Sequence, residues 1–138
     1  MLAAVLVAAT RYRRVQVHGP SMEPTLRAGD RLLARRPLHR RGRWPRVGDV
    51  VVVRLPGRGE AVKRVAATAG QPSQVGGAVR RLGAGEVAVV GDRPELSTDS
   101  RHLGPLPLGA VRAVVVARYH PPGRVGGREA LAPPGPQR

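Results

Sequence analysis

Short apolar runs, most of them rich in valine, recur along the chain between glycine, proline and aspartate residues. The run at 50–55 is almost entirely valine and leucine, which is typical of a buried strand. Similar runs predict further strands, and the full set is 15–17, 31–34, 50–55, 60–66, 78–82, 86–90 and 110–119. No stretch has a helical period of any length. The pattern therefore predicts an all-β fold, mainly of antiparallel sheets, with few or no helices.

The segments between these runs carry turn residues. Asp30, Asp49 and Asp92 each follow a glycine at the edge of an apolar run, where an aspartate side chain commonly accepts hydrogen bonds within a turn. Residues 71–84 form a connection with only a weak strand at 78–82. Residues 93–108 contain three prolines, so we expect a long loop without regular structure. A loop of that length in a small domain is usually functional or disordered.

The chain length of 138 residues indicates one domain with a real core. Residues 1–14 form a short apolar and then basic segment, 15–120 the folded domain, and 121–138 a flexible tail rich in Pro, Gly and Arg. The apolar run at 1–9 is shorter than the roughly 20 residues of a membrane-spanning helix. We therefore predict neither a transmembrane helix nor a cleavable signal peptide.

The formal net charge of +15 favours a polyanion or an anionic membrane surface as a neighbour. Arginine is spread along the whole chain, however, which indicates a compositional bias. Among 24 basic residues only Lys63 is a lysine. A guanidinium cannot act as a base in a protein, whereas a buried ammonium can lose its proton. The chain has no cysteine and no cluster with metal-ligand spacing, so neither a metal nor a cofactor is expected.

A serine in a stiff loop is the candidate nucleophile. Ser21 lies between Gly19-Pro20, which favours a turn, and Pro24, which restricts the residue before it. A serine hydroxyl needs a base, and Lys63 would be desolvated by apolar neighbours so that its pKa falls. A second hydroxyl such as Ser97 could orient the amine.

The main-chain N–H of Ser21 could form half of an oxyanion hole. His18 and His102 are weaker candidates for the base, because no spacing ties either of them to a carboxylate and a serine.

Three ordered motifs resemble the bacterial type I signal peptidases. Residues 19–26 (GPSMEPTL) resemble the nucleophile motif, 62–65 (VKRV) the lysine motif, and 91–101 (GDRPELSTDSR) the closing motif of that family. The resemblance covers about residues 15–120 and implies a signal-peptidase-like all-β catalytic core. The implied enzyme is a membrane-associated serine endopeptidase that cleaves N-terminal leader peptides from precursor proteins.

The resemblance also implies roles for individual residues. Ser21 would be the nucleophile, Lys63 the general base and Ser97 the group that orients the lysine amine. Asp99 and Arg101 would pair and brace the site. Gly19 stands where some members carry an oxyanion-hole serine, which leaves the second oxyanion donor open, and Arg93 replaces the usual asparagine.

Substrates and location follow from the same resemblance. Precursors with small residues before the cut would bind as an extended strand, and the plasma membrane would be the site of action. The compact chain also resembles the proteases that mature nickel-type superoxide dismutase precursors, which implies a cytoplasmic location. An Arg-rich β-module that binds nucleic acid is the non-enzymatic alternative. With only Trp44, Tyr12 and Tyr119 as aromatic residues, we do not expect a nucleic-acid partner.

Overall fold

The computed structural model describes residues 11–37 and 45–122. This part of the chain contains strands, one short α-helix and two 3-10 turns. The strands are β1 Tyr12–Gln16, β2 Arg31–Arg35, β3 Val50–Leu55, β4 Gly59–Ala67, β5 Pro72–Val75, β6 Ala78–Arg81, β7 Glu86–Val90, β8 Leu106–Pro107 and β9 Val111–His120. The helix, α1, is Ser100–Leu103, and the 3-10 turns are Pro94–Leu96 and Leu108–Ala110.

Seven of these strands form one sheet in the order β1-β2-β9-β3-β4-β7-β8, and β5 and β6 form a separate hairpin. Every pairing described between them is antiparallel. The sheet is strongly curved. This is shown by an ion pair between Arg13 on β1 and Glu60 on β4, strands that are four positions apart in the sheet. The predicted all-β, mainly antiparallel fold is confirmed.

The core lies on both faces of β3, because successive side chains of a strand point to opposite faces. Val50 and Val52 pack on one face in a cluster that includes Met22, Leu26 and Leu32. On the other face a second cluster is formed by Val51, Val53, Leu55, Val65, Val87, Val89, Leu106 and Val111. The unbroken apolar run thus reflects burial on both sides, as its composition predicted.

The segment 93–108 is more regular than predicted. It holds the 3-10 turn Pro94–Leu96, helix α1 and the short strand β8, so the expectation of a loop without regular structure is wrong. Pro94 lies in the first turn of the 3-10 turn, where a proline is tolerated because its missing N–H would have no partner there. The connection 71–84 is a hairpin, and the pattern missed its first strand, β5.

Two of the three turn aspartates have the predicted role. Asp30 accepts a hydrogen bond from the main-chain N–H of Arg27, and Asp49 accepts one from Arg46, each across 2.9 Å. Asp92 does not, because its carboxylate forms a buried ion pair with Arg64.

The predicted apolar run 1–9 and most of the predicted tail 121–138 lie outside the described residues. Within residues 11–37 and 45–122, no helix has the length and apolar character needed to cross a membrane.

Substitution of a core residue should have a large effect on stability. Leu32 is fully buried in the cluster on one face of β3, whereas Val79 is 74% exposed on the separate hairpin. Leu32→Ala should lower the free energy of unfolding by about 2–5 kcal/mol because it leaves a cavity. Val79→Ala should change it by less than about 1 kcal/mol. Chemical denaturation of both variants tests the core, and equal effects would contradict its placement.

Candidate active site

The loop that carries Ser21 is fixed to the body of the domain at both ends. It begins at Gly19, which has a positive φ of 77°, and it is closed by hydrogen bonds from Glu23 N to Pro20 O (3.1 Å) and from Leu26 N to Met22 O (2.9 Å). Met22 and Leu26 are fully buried in the core and anchor the loop. Ser21 itself is half-buried between these anchors and solvent. The serine is therefore held in a defined position with its side chain accessible.

Lys63 lies in the middle of β4 and is only 4% exposed. Its cross-strand partner is Val51, and Val65 lies two residues further along on the same face. Burial lowers the pKa of the Lys63 ammonium, and the positive charges of Arg101 and Arg58 lower it further, while Asp99 opposes them. This is the direction predicted from the apolar neighbours.

Ser97 and Asp99 continue a buried hydrogen-bond chain from the lysine. Lys63 Nζ donates to Ser97 Oγ across 2.9 Å, and Ser97 Oγ donates to Asp99 Oδ2 across 2.6 Å. Arg101 binds both carboxylate oxygens, with Nε 2.9 Å from Oδ1 and Nη2 2.7 Å from Oδ2. The main-chain N–H groups of Gly91 and Arg101 donate to the same carboxylate.

The charge of Asp99 is stabilised although the residue is completely buried. Burial by itself would raise the pKa of this carboxyl, but hydrogen bonds from Arg101, Ser97 and the main chain lower it to about 2. Asp99 also caps helix α1, and Ser100 Oγ accepts a hydrogen bond from Val89 N. The closing motif is thereby attached to β7.

Gly91 is the point where these parts meet. A Cβ atom at this position would clash with the side chain of Ser97 and would lie 2.7 Å from the main-chain oxygen of Ser21. That oxygen also accepts a hydrogen bond from Arg93 N (2.9 Å). Ser21, Gly91, Ser97 and Lys63 are therefore in one neighbourhood.

The side chain of Ser21 makes no hydrogen bond to Lys63 within the described residues. Hydrogen bonds between a nucleophile and its base are often long in the absence of substrate. The structure thus brings together Ser21, Lys63, Ser97, Asp99 and Arg101, the residues selected from the sequence.

His18 and His102, the two histidines considered as candidates for the base, lie outside this hydrogen-bond chain. His102 is mostly exposed, and its Nδ1 accepts a 3.5 Å hydrogen bond from the main-chain N–H of Asp99 at the start of α1. His18 is exposed beside the Ser21 loop. In the described part of the chain, no group of three or more His, Cys, Asp or Glu side chains could hold a metal ion.

Sequence reasoning missed two ion pairs that border the site. Arg64, next to Lys63, binds both carboxylate oxygens of Asp92 at 2.8 and 2.7 Å, and donates to Gly48 O. Both partners are more than nine-tenths buried. The position of this arginine among the valines of a buried strand could have indicated a carboxylate partner, because a buried charge needs an opposite charge beside it. The second pair joins Arg93 to Glu23 on the Ser21 loop.

A cleft of about 270 Å³ opens beside Ser21. One wall is formed by residues 13–17, which belong to β1 except for the last, and the other wall is formed by residues 60–62 of β4. In the described sheet β1 pairs only with β2, and the first half of β4 pairs only with β3, because its pairing with β7 begins at Arg64. Two unpaired strand edges therefore face each other across the cleft. Such edges can hydrogen-bond an extended peptide.

Comparison with known proteins identifies the family of this chain. Residues 1–80 match the family model described as "Signal peptidase, peptidase S26". A mitochondrial ATP-independent inner membrane protease subunit 1a from Arabidopsis thaliana is 38% identical over 117 residues, which cover 77% of this chain and 69% of that protein. The chain belongs to the signal peptidase family, peptidase S26. It is a serine-type peptidase that acts as signal peptidases do, by removing leader peptides.

Two further relatives carry similar names. Mitochondrial inner membrane protease subunit 1 is 37% identical in Schizosaccharomyces pombe, over 75% of this chain and 70% of that protein. The mouse protein of that name is 33% identical, over 78% and 69%. The family prediction is confirmed, but these relatives are mitochondrial rather than bacterial. Nothing in the comparisons supports the dismutase-maturation group or the nucleic-acid-binding module.

Gly91→Ala should reduce activity far more than stability. The added methyl group would displace Ser97 and the main chain of Ser21, and misplacement by about 1 Å can cost roughly 100-fold in rate. Gly109→Ala is a matched control, because a Cβ there would meet nothing within 4 Å. Both should be compared by kcat and by thermal unfolding. Equal activity in the two variants would contradict the close approach at Gly91.

Asp99→Asn should change the acid stability of the protein. The folded-state pKa of Asp99 lies below the unfolded value, so its contribution is present above about pH 4 and is lost as the pH falls towards 2. The shift corresponds to about 2 kcal/mol. Asp99→Asn should therefore be less stable at pH 7, and the difference from wild type should shrink between pH 4 and 2. A constant difference in denaturation experiments would contradict this.

Proposed function

We propose that Ser21 is the nucleophile of this peptidase and that Lys63, in its neutral form, is the general base. The observation that carries the proposal is the burial of Lys63, with Nζ held 2.9 Å from Ser97 Oγ. Burial lowers the pKa of this amine, so a larger fraction of it is neutral and able to accept a proton. Among the 24 lysine and arginine side chains, Lys63 is the one that can lose its proton, because a guanidinium stays charged.

The proposed reaction is acyl transfer in two steps. As Ser21 Oγ attacks the scissile carbonyl, its proton passes to Lys63 Nζ, and the ammonium then protonates the leaving amine. Water then attacks the acyl-enzyme while Lys63 Nζ accepts its proton, and the ammonium returns that proton to Ser21 Oγ as the bond to the acyl group breaks. Ser97 holds the amine in position, and Asp99 with Arg101 holds Ser97. No metal or cofactor enters these steps.

The oxyanion of the tetrahedral intermediate needs hydrogen-bond donors. The main-chain N–H of Ser21 donates no hydrogen bond within the part of the chain that the structure describes, so it can bind the developing oxyanion. Gly19 is the candidate position for a second donor. It is exposed, it precedes Ser21 by two residues, and its positive φ sets the direction of the loop.

The cleft between β1 and β4 is the proposed binding site for the precursor. A leader segment in extended conformation would add a strand between the two unpaired edges, with Ser21 at one end of the cleft. Small side chains before the scissile bond fit a cleft of about 270 Å³. We extend to this chain the association with a membrane that its relatives' names record. Placement at the plasma membrane stays a prediction, because those names refer to the mitochondrial inner membrane.

Cleavage of a synthetic leader peptide with Ala-X-Ala before the scissile bond tests the proposal. Wild-type kcat/KM should rise as the pH is raised, because only neutral Lys63 accepts a proton. The midpoint of this rise should lie below pH 10.5, the ordinary pKa of a lysine. Ser21→Ala and Lys63→Arg should each lower kcat/KM by about 1,000-fold or more. Lys63→Arg keeps the positive charge but has no basic form.

Ser73→Ala, on the separate hairpin, is the control and should keep full activity. Circular dichroism would establish that each variant is folded. A folded Lys63→Arg protein with wild-type activity would overturn the assignment of the base.

A further inference from the structure

The cleft ends, away from Ser21, at an ion pair between its two walls. Arg13 on β1 donates from Nη1 and Nη2 to the two carboxylate oxygens of Glu60 on β4, across 2.8 and 2.7 Å. Both side chains are partly exposed. Glu60 lies three residues before Lys63, which corresponds to about 10 Å along a strand. If the residue before the scissile bond lies beside Lys63, the residue four or five positions before that bond would bring its side chain to this pair.

Two further arginines lie beside Glu60. Arg54 is its cross-strand partner on β3, and Arg112 follows Val111, which pairs with Val53 on the other side of β3. Arg54 and Arg112 are exposed, and neither has an ion-pair partner among residues 11–37 and 45–122. Besides the hydrogen bond from Arg13, the charges of Arg13, Arg112 and Arg54 all lower the pKa of Glu60, which places them within electrostatic range.

The charges at this end of the cleft do not balance. Three arginines surround one carboxylate, and that carboxylate is already bound on both oxygens by Arg13. Two positive charges are therefore left to act on a ligand. Charges on a partly exposed surface act over about one Debye length, which is 10 Å at 0.1 M salt. A second carboxylate brought by a substrate would be attracted, and an ammonium would be repelled.

We propose that Arg54 and Arg112, together with the Arg13–Glu60 pair, form a subsite that selects precursors with an acidic side chain four or five residues before the scissile bond. The inference rests on the proposed function, because it takes Ser21 and Lys63 as the place of cleavage and the cleft as the place of binding. It adds a charge requirement to the preference for small residues near the cut.

Peptides that differ at one position test the subsite. In an Ala-X-Ala leader peptide, the residues four and five positions before the scissile bond, which lie outside the Ala-X-Ala segment, are replaced in turn by Asp, Asn or Lys. With wild-type enzyme at low salt, the Asp peptide should have a kcat/KM about tenfold above that of the Lys peptide in at least one position. The ratio should fall towards about twofold near 0.5 M salt, because exposed charges are screened.

Removing the charges of Arg54 and Arg112 tests whether these residues cause the preference for the Asp peptide. In the double variant Arg54→Gln/Arg112→Gln the Asp-to-Lys ratio should fall to about twofold or less at low salt. Arg80→Gln/Arg81→Gln is the control for net charge, because it removes two arginines from β6 in the separate hairpin, although it also breaks the ion pair between Arg80 and Glu86. The control should keep the wild-type ratio, and each single variant, Arg54→Gln and Arg112→Gln, should give an intermediate value.

The outcomes separate the two proposals. Cleavage of the Asn peptide by wild-type enzyme establishes the peptidase activity independently of the subsite. Equal rates for Asp and Lys peptides at both positions would overturn the subsite alone, as would an equal loss of selectivity in the control. Failure to cleave any of the peptides would count against the proposed function itself.

Discussion

The site depends on one buried carboxylate that has no role as a nucleophile or base. Asp99 is fully buried, so its charge must be matched by hydrogen bonds, and these come from Arg101, from Ser97 and from the main chain at Gly91. Those partners all belong to the closing motif, residues 91–101. Ser97, once oriented by Asp99, in turn holds Lys63. The need to satisfy one buried charge thus fixes the geometry of the groups proposed to react.

The sheet brings Ser21, Lys63 and the closing motif together, although they lie on different strands and loops. Lys63 lies on β4, Gly91 follows its neighbour β7, and Ser21 lies on a loop anchored in the core by Met22 and Leu26. The same β4 is unpaired over its first half and paired over its second. One strand therefore provides both a wall of the cleft and the buried position that lowers the pKa of the lysine. In the proposed mechanism, peptide binding and proton transfer both depend on the register of β4.

The sequence predicted most strands, because valine runs report burial directly. Through their motifs it also predicted the four side chains of the hydrogen-bond chain, Lys63, Ser97, Asp99 and Arg101, and the nearby Ser21. It could not predict the cleft, which depends on how far the sheet curves. The segment 93–108 was predicted as a loop from its prolines, although Pro94 begins a 3-10 turn. Asp92 was taken for a turn residue because its partner, Arg64, lies 28 positions away in sequence. A local sequence pattern does not show which residues far apart in sequence will come into contact.

Strand β9 has a consequence for the order in which the protein can assemble. It pairs with β2 on one side and β3 on the other, so it joins the hairpin β1–β2 to the strands that carry Lys63. β9 is also the last strand of the described chain to be synthesised. The complete sheet, and with it the cleft between β1 and β4, can therefore form only after residues 111–120 have been synthesised. We expect a nascent chain that still lacks β9 to have no peptidase activity.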